Sequence, residues 1–169
     1  MMQVSDAQIV ALSATIGNDQ ELADWLRAKL VKSDYRPVKL QKGVLEGSKI
    51  YHWENGAIGE FALKGSSKTP EFRLVEDTLA QNKQLIIFYS TRRNAESGAS
   101  KIASMLSGKL SDDEKKRLDQ VSQSILSALE KPTSQCAKLA LCASSGVAFH
   151  HSGLVNVQRA MVEDAFKKG

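Results

Sequence analysis

The chain has 169 residues, with 23 Lys and Arg against 19 Asp and Glu, and a formal net charge of +4. With 42% hydrophobic and 25% charged residues it has the composition of a globular chain large enough to bury a core, which excludes wholesale disorder. No apolar run approaches the roughly 18–20 residues that span a bilayer, the start lacks the basic stretch and apolar core of a secretory leader, and two cysteines, Cys136 and Cys142, cannot build a disulfide scaffold. A reducing cytoplasm is therefore expected. The isoelectric point near 9.1 permits a nucleic-acid partner without requiring one.

Residues 9–16 form a short apolar run ended by Gly17-Asn18, read as a buried strand of the parallel kind because both faces are apolar. Asn18 or Asp19 caps the next helix, where Leu22, Trp25, Leu26 and Leu30 recur at helical spacing. Pro37 and Gly43 break helix, and short strands are expected around Val38, Leu40, Val44 and Leu45. Residues 50–53 and 58–63 read as two strands joined at Asn55-Gly56, a strong hairpin signal. Phe72, Val75 and Leu79 mark a helix over 71–82. Residues 84–90 (Gln-Leu-Ile-Ile-Phe-Tyr-Ser) are the clearest buried strand, and a helix follows over 92–106. Ser111 with Glu114 is a capping box opening a long helix with Leu118, Val121, Ile125 and Leu129 as its stripe. A further helix passes through Ala137, Ala140 and Leu141 and stops at Gly146. Residues 147–149 read as a short strand, 150–153 as a turn, and 155–168 as a last helix.

Helix alternating with apolar strand implies an α/β fold with a mostly parallel sheet. Such sheets bind ligands at the carboxyl ends of their strands. Three polar clusters fall there: Ser13 to Thr15, Ser90 to Arg93, and His150 to Gly153.

Arg92 and Arg93 occupy the first turn of a helix, where the helix dipole disfavours cations by about 0.3–1 kcal/mol each. Two arginines there can hold an anion between themselves and the free backbone amides, with Thr91 capping the helix and offering its hydroxyl. The natural anion is a phosphate of a nucleic-acid backbone or a nucleotide. The plainer alternative is that both point into solvent with Glu96 offsetting them. His150 and His151 are adjacent and so point to opposite faces of an extended segment, while Cys136 and Cys142 are six apart and no Cys-x-x-Cys pair exists; no metal site is expected. Ser13 and Thr15 flank Ala14 at a strand end; two hydroxyls can relay a small shift between sites, although such residues are common there. The sequence given has no Gly-x-x-x-x-Gly-Lys-Ser/Thr phosphate loop, no Gly-x-Gly-x-x-Gly, no Asp-Glu pair after an apolar strand and no Gly-x-Ser-x-Gly turn, and so no complete catalytic set.

Residues 10–18, Val-Ala-Leu-Ser-Ala-Thr-Ile-Gly-Asn, resemble motif III of superfamily 2 helicases. Leu22 to Leu26 and Arg36-Pro37-Val38 through Gly43-Val44 look like the linker that follows. Ile86 to Arg93, with Ala95-Glu96, is similar to motif IV. Residues 146–154, then Gln158-Arg159 and 162–166, look like motif IVa. Their order most resembles the archaeal Holliday-junction-migration (Hjm) helicases and their Ski-type relatives, over nearly the whole chain; residues 109–136 carry no motif.

The resemblance implies two RecA-like domains of the P-loop NTPase type, with ATP, Mg2+ and DNA at their interface. Residues 1–33 would close the first domain and 34–169 would open the second, so that the chain is an excerpt, inactive alone. It implies a parent that is an ATP-dependent 3′-to-5′ DNA helicase acting on forked or recombining DNA in repair, near the nucleoid. Partners would be single-stranded or forked DNA and the remaining helicase domains of the same chain, with no membrane. Ser13, Ala14 and Thr15 match the motif linking hydrolysis to strand movement. Ser90, Thr91, Arg92 and Arg93 match a motif touching the tracking strand, and His151, Ser152 and Gly153 match its neighbour. Ser152 departs from the family, where Ala is frequent. The rival readings are a Ski-type RNA helicase and a nucleic-acid or protein binding module without ATP chemistry; a small α/β hydrolase is poorer, since no nucleophile is paired with a base.

Overall fold

The computed structural model describes residues 10–13, 16–33, 35–54 and 56–169. Its chain forms two compact units, Met1–Gln41 and Lys42–Gly169.

In the first unit, helix α1 (Asp19–Leu26) is two turns long. It stops because Arg27 takes a left-handed conformation, φ 50°, and turns its amide back to the carbonyls of Ala23 and Asp24. The expected stripe is therefore cut short. Ala23 is buried and Leu22 and Leu26 are half-buried, while Trp25 is 72% exposed and Leu30 lies beyond the helix. Lys32 Nζ reaches back to Asp19 Oδ2 at 2.6 Å. The expected strand over 9–16 does not form in its described part: Val10 to Ser13 and Ile16 are irregular, and Leu12 is 93% exposed. Ile9, Ala14 and Thr15 lie outside the described residues. An apolar run becomes a buried strand only when a neighbouring strand takes its backbone groups, and none of the described residues does so.

The second unit opens with a three-stranded antiparallel sheet, β1 (Gly43–Glu46), β2 (Lys49–Glu54) and β3 (Ala57–Ala62), in that spatial order. Glu46 pairs with Lys49 and Glu54 with Ala57, so both hairpins close through two-residue loops. Gly47 (φ 58°) and Gly56 (φ 80°) supply the left-handed backbone these tight loops need. The hairpin expected at Asn55-Gly56 is present, with Asn55 itself outside the described residues. The strand expected around Val38 and Leu40 is irregular.

Five helices follow: α2 (Pro70–Ala80), α3 (Arg92–Leu106), α4 (Asp112–Ser127), α5 (Ser134–Ala143) and α6 (Asn156–Lys168). Their starts are written in the chain. Pro70 begins α2 at a position that needs no amide. Ser111 and Glu114 make a reciprocal capping box, Ser111 N donating to Glu114 Oε2 at 2.8 Å. Thr133 caps α5 by accepting from Cys136 N at 3.3 Å. The main core gathers Ala99 and Ala103 of α3, Ile125 of α4, Leu139, Ala140 and Cys142 of α5, and Phe149 and Leu154 beyond. Cys136 and Cys142 are both buried free thiols. A second cluster packs Val75 of α2 on Ile102 and Leu106 of α3.

The parallel sheet expected from the sequence is not formed among the described residues; their one sheet is the antiparallel meander. Residues 84–89 and 147–149 have no regular secondary structure and carry no ladder. In the first, Leu85 and Ile87 pack on the α2–α3 cluster, whereas Ile86 is 61% and Phe88 91% exposed. A two-sided apolar run signals a strand covered on both faces. Here helices cover one face, and no described strand lies alongside.

Candidate nucleic-acid interface

The segment 89–93 leads from the irregular run over 84–89 into α3. Tyr89 anchors it: its hydroxyl donates to the Glu71 carboxylate, and burial, then that bond, pushes the phenol up to about 12. A cleft of about 410 Å³ lies beside this pair, with Asn94 and Lys101 on its α3 wall. Thr91 Oγ1 accepts from Asn94 N at 3.1 Å, so Thr91 caps the helix as expected. The amides of Arg92 and Arg93, in the first turn, carry no intrahelical bond. Ser90, Thr91, Arg92 and Arg93 are all exposed.

The turn after Phe149 comes to the same place. Arg92 Nη2 donates to Ser152 Oγ at 2.8 Å, across sixty positions of sequence. A Cβ on Gly153 would stand 3.0 Å from the His151 ring and 3.5 Å from Arg92 Nη1, so the absent side chain leaves room for both. Arg93 has no hydrogen-bond or ion-pair partner among the described residues and stays a free cation at the positive end of α3.

His150 and His151 part company. His150 is exposed and lies 2.9 Å from Glu163 Oε1 on α6. The His151 side chain is 8% exposed; it stacks on Phe149 with ring centroids 5.5 Å apart and places Nε2 3.2 Å from Glu96 Oε1. Gly153 N donates to His151 Nδ1 at 3.1 Å, which requires Nδ1 to be bare. The network thus assigns the proton to Nε2, donated to Glu96.

Glu96 decides against the plainer alternative for the arginines. It does not offset the arginines. Its carboxylate accepts from Gln135 Nε2 at 3.0 Å, from Lys138 Nζ at 3.0 Å and from His151. Gln135 first, then Lys138, holds its carboxyl below the usual carboxylate value. Gln135 and Lys138, three apart on α5, were not singled out from the sequence. Their spacing says they share a face, but nothing local says that face meets α3.

Two motif groups thus converge in the second unit: residues 90–93 and 151–153. Ser13 belongs to the first unit and is exposed in irregular backbone, and Ala14 and Thr15 lie outside the described residues. Among the described residues no three His, Cys, Asp or Glu groups are placed to hold a metal ion. The sequence given also has no Gly-x-x-x-x-Gly-Lys-Ser/Thr loop, the element that cradles nucleotide phosphates. No helix among them is long and apolar enough to cross a membrane.

No family model matches the chain. Over 163 residues it is 43% identical to the ATP-dependent DNA helicase Hel308 of Methanocaldococcus jannaschii, covering 96% of this chain and 13% of that protein. The Thermococcus kodakarensis Hel308 is 44% identical over 163 residues, with the same shares. The Pyrococcus horikoshii Hel308 is 41% identical over 167 residues, 96% of this chain and 21% of that protein. Nearly all of the chain is thus similar to one segment of the archaeal Hel308 proteins. It spans no more than about a fifth of these Hel308 relatives. The likeness runs through both converging motif groups and through α4 and α5, where no motif was read.

Proposed function

We propose that this chain contributes part of a single-strand groove to an ATP-dependent, 3′-to-5′ DNA helicase that works on forked or recombining DNA. In this reading residues 1–33 close the first RecA-like domain and 34–169 open the second, and the remaining domains of the parent bring ATP and Mg2+. The chain by itself neither hydrolyses ATP nor unwinds, and the parent works in the cytoplasm at the nucleoid. DNA is favoured over RNA because the relatives are DNA helicases.

The observation that carries the reading is the 2.8 Å bond from Arg92 to Ser152. It brings a guanidinium, a hydroxyl and first-turn amides to one exposed edge beside the unpaired Arg93. Phosphate oxygens accept from all three donor types, and none of them reads base identity. Glu96 is spent on Lys138 and His151, so it leaves the arginines' charge available to a polyanion. Binding through such contacts is salt-sensitive and nearly blind to sequence.

The test is anisotropy of a fluorescent single-stranded oligonucleotide against salt, for the chain and for Arg92→Ala with Arg93→Ala. Weaker binding with a flatter salt dependence supports the role; unchanged affinity and slope reject it. For Ser13 and Thr15 the proposed role is coupling, so Ser13→Ala with Thr15→Ala in the parent should spare ATP turnover and reduce unwinding. Equal loss of both would argue against it.

A further inference from the structure

We propose that Glu96 is a positioning residue for this interface, an inference that rests on the reading just given. Glu96 follows Arg92 by one turn of α3 but never touches it; its partners are Gln135 and Lys138 on α5 and His151 in the turn. The carboxylate is largely enclosed, with 18% of its side chain exposed. It is held at both oxygens, since Oε1 takes Gln135 and His151 while Oε2 takes Lys138.

A carboxylate so held is a fixed acceptor, and it determines which nitrogen of His151 carries the proton. With Nε2–H directed at Glu96, Nδ1 is free to accept the Gly153 amide. That second bond folds residues 151–153 back onto the ring, on which Phe149 is stacked. The fold of the turn places Ser152 Oγ against Arg92. The chain of cause therefore runs from α5 through Glu96 and His151 to the guanidinium, and the two motif groups are held as one unit. Glu96 acts through these groups and not on the strand, because its acceptors face the protein.

The test combines Glu96→Ala and Glu96→Gln with Arg92→Ala in the full chain. Affinity for a fluorescent oligodeoxythymidine and the imidazole 15N signals of His151 are measured for each. Glu96→Ala is expected to weaken binding about five-fold when Arg92 is present and less than about two-fold when it is replaced, the mark of residues acting in series. The His151 nitrogens should move from distinct bare and protonated signals toward averaged ones. Glu96→Gln keeps an acceptor oxygen for His151 and should retain most of the affinity. If Glu96→Ala does not fold, Lys138→Met removes one support of the carboxylate while keeping the apolar stem, with about a two-fold loss expected, again only with Arg92 present.

Equal losses with and without Arg92, or unchanged His151 signals, would overturn the positioning role while the interface stood. An Arg92→Ala variant that binds as tightly as the original would overturn the interface itself, and this inference with it.

Discussion

Gly98 lies beneath Tyr89 so closely that a Cβ built on it would stand 2.3 Å from the phenol oxygen and 2.4 Å from Cζ. A ring can rest there only on a residue without a side chain. The contact fixes the run leading into Arg92 against α3, while Glu71 of α2 holds the hydroxyl. Gly98→Ala should therefore destabilise the protein by about 1 kcal/mol: overpacking costs about 1–3 kcal/mol, and Ala in a helix interior returns somewhat under 1 kcal/mol. Urea midpoints check this. In a Tyr89→Ala background the same change should become neutral or stabilising.

Thr91 caps α3 and also lies in the proposed interface, and an aspartate separates the two. Thr91→Ala removes the cap on Asn94 N and should cost about 1 kcal/mol of stability. Thr91→Asp caps equally well and suits the helix dipole, so stability should hold. It also sets a negative charge beside the proposed phosphate position and should weaken oligonucleotide binding about three- to ten-fold at low salt. Equal affinity for the aspartate variant would remove Thr91 from the interface.

The two arginines should differ in kind. Each phosphate contact to a single strand contributes about 0.7 to the slope of log affinity against log salt. Arg93→Ala should remove about that much. Arg92→Ala should remove a similar amount and also free Ser152. Ser152→Ala should leave the slope unchanged, because the guanidinium keeps its charge, and should cost about five-fold in affinity, as Glu96→Ala does, because it removes the last link to Arg92.

Glu76 gives the fold a pH dependence of known sign. It lies 3.0 Å from Lys109 Nζ and accepts the amides of Ser67 at 2.9 Å and Ser66 at 2.7 Å. Lys109 first, then the Ser67 amide, holds its carboxyl at about 2 against an ordinary 4.5. A depressed carboxylate contributes stability that is fully present above the unfolded value and lost as pH falls through the folded one. Glu76→Ala should cost about 1–2 kcal/mol at pH 7, and the deficit should shrink between about pH 4.5 and 2. A deficit constant across that range would show that the loss lies in packing.

The elements legible in the chain were those whose cause is local. The hairpin at Asn55-Gly56 follows from backbone needs within a few residues, and so do the Ser111–Glu114 box, the Thr91 cap and the helix stop at Gly146. Residues 84–90 read as a buried strand and are instead irregular, with Phe88 exposed, since a strand's hydrogen bonds come from elsewhere in the chain. The helix stripe through Trp25 failed for a related reason: periodicity places a residue on a face but does not supply what covers it.

Sequence alone determined where the candidate polar groups fall: two arginines opening a helix, and a His-Ser-Gly turn at the end of an apolar run. Only the tertiary structure decided that Arg92 reaches Ser152, that His150 and His151 turn to different helices, and that Glu96 serves α5 and not its own arginines. Helix starts, caps and turns depend on dihedrals and hydrogen bonds spanning a few residues, so the chain carries them openly. A side chain's partner depends on how whole helices pack, and that is settled by burial summed over residues far apart in sequence.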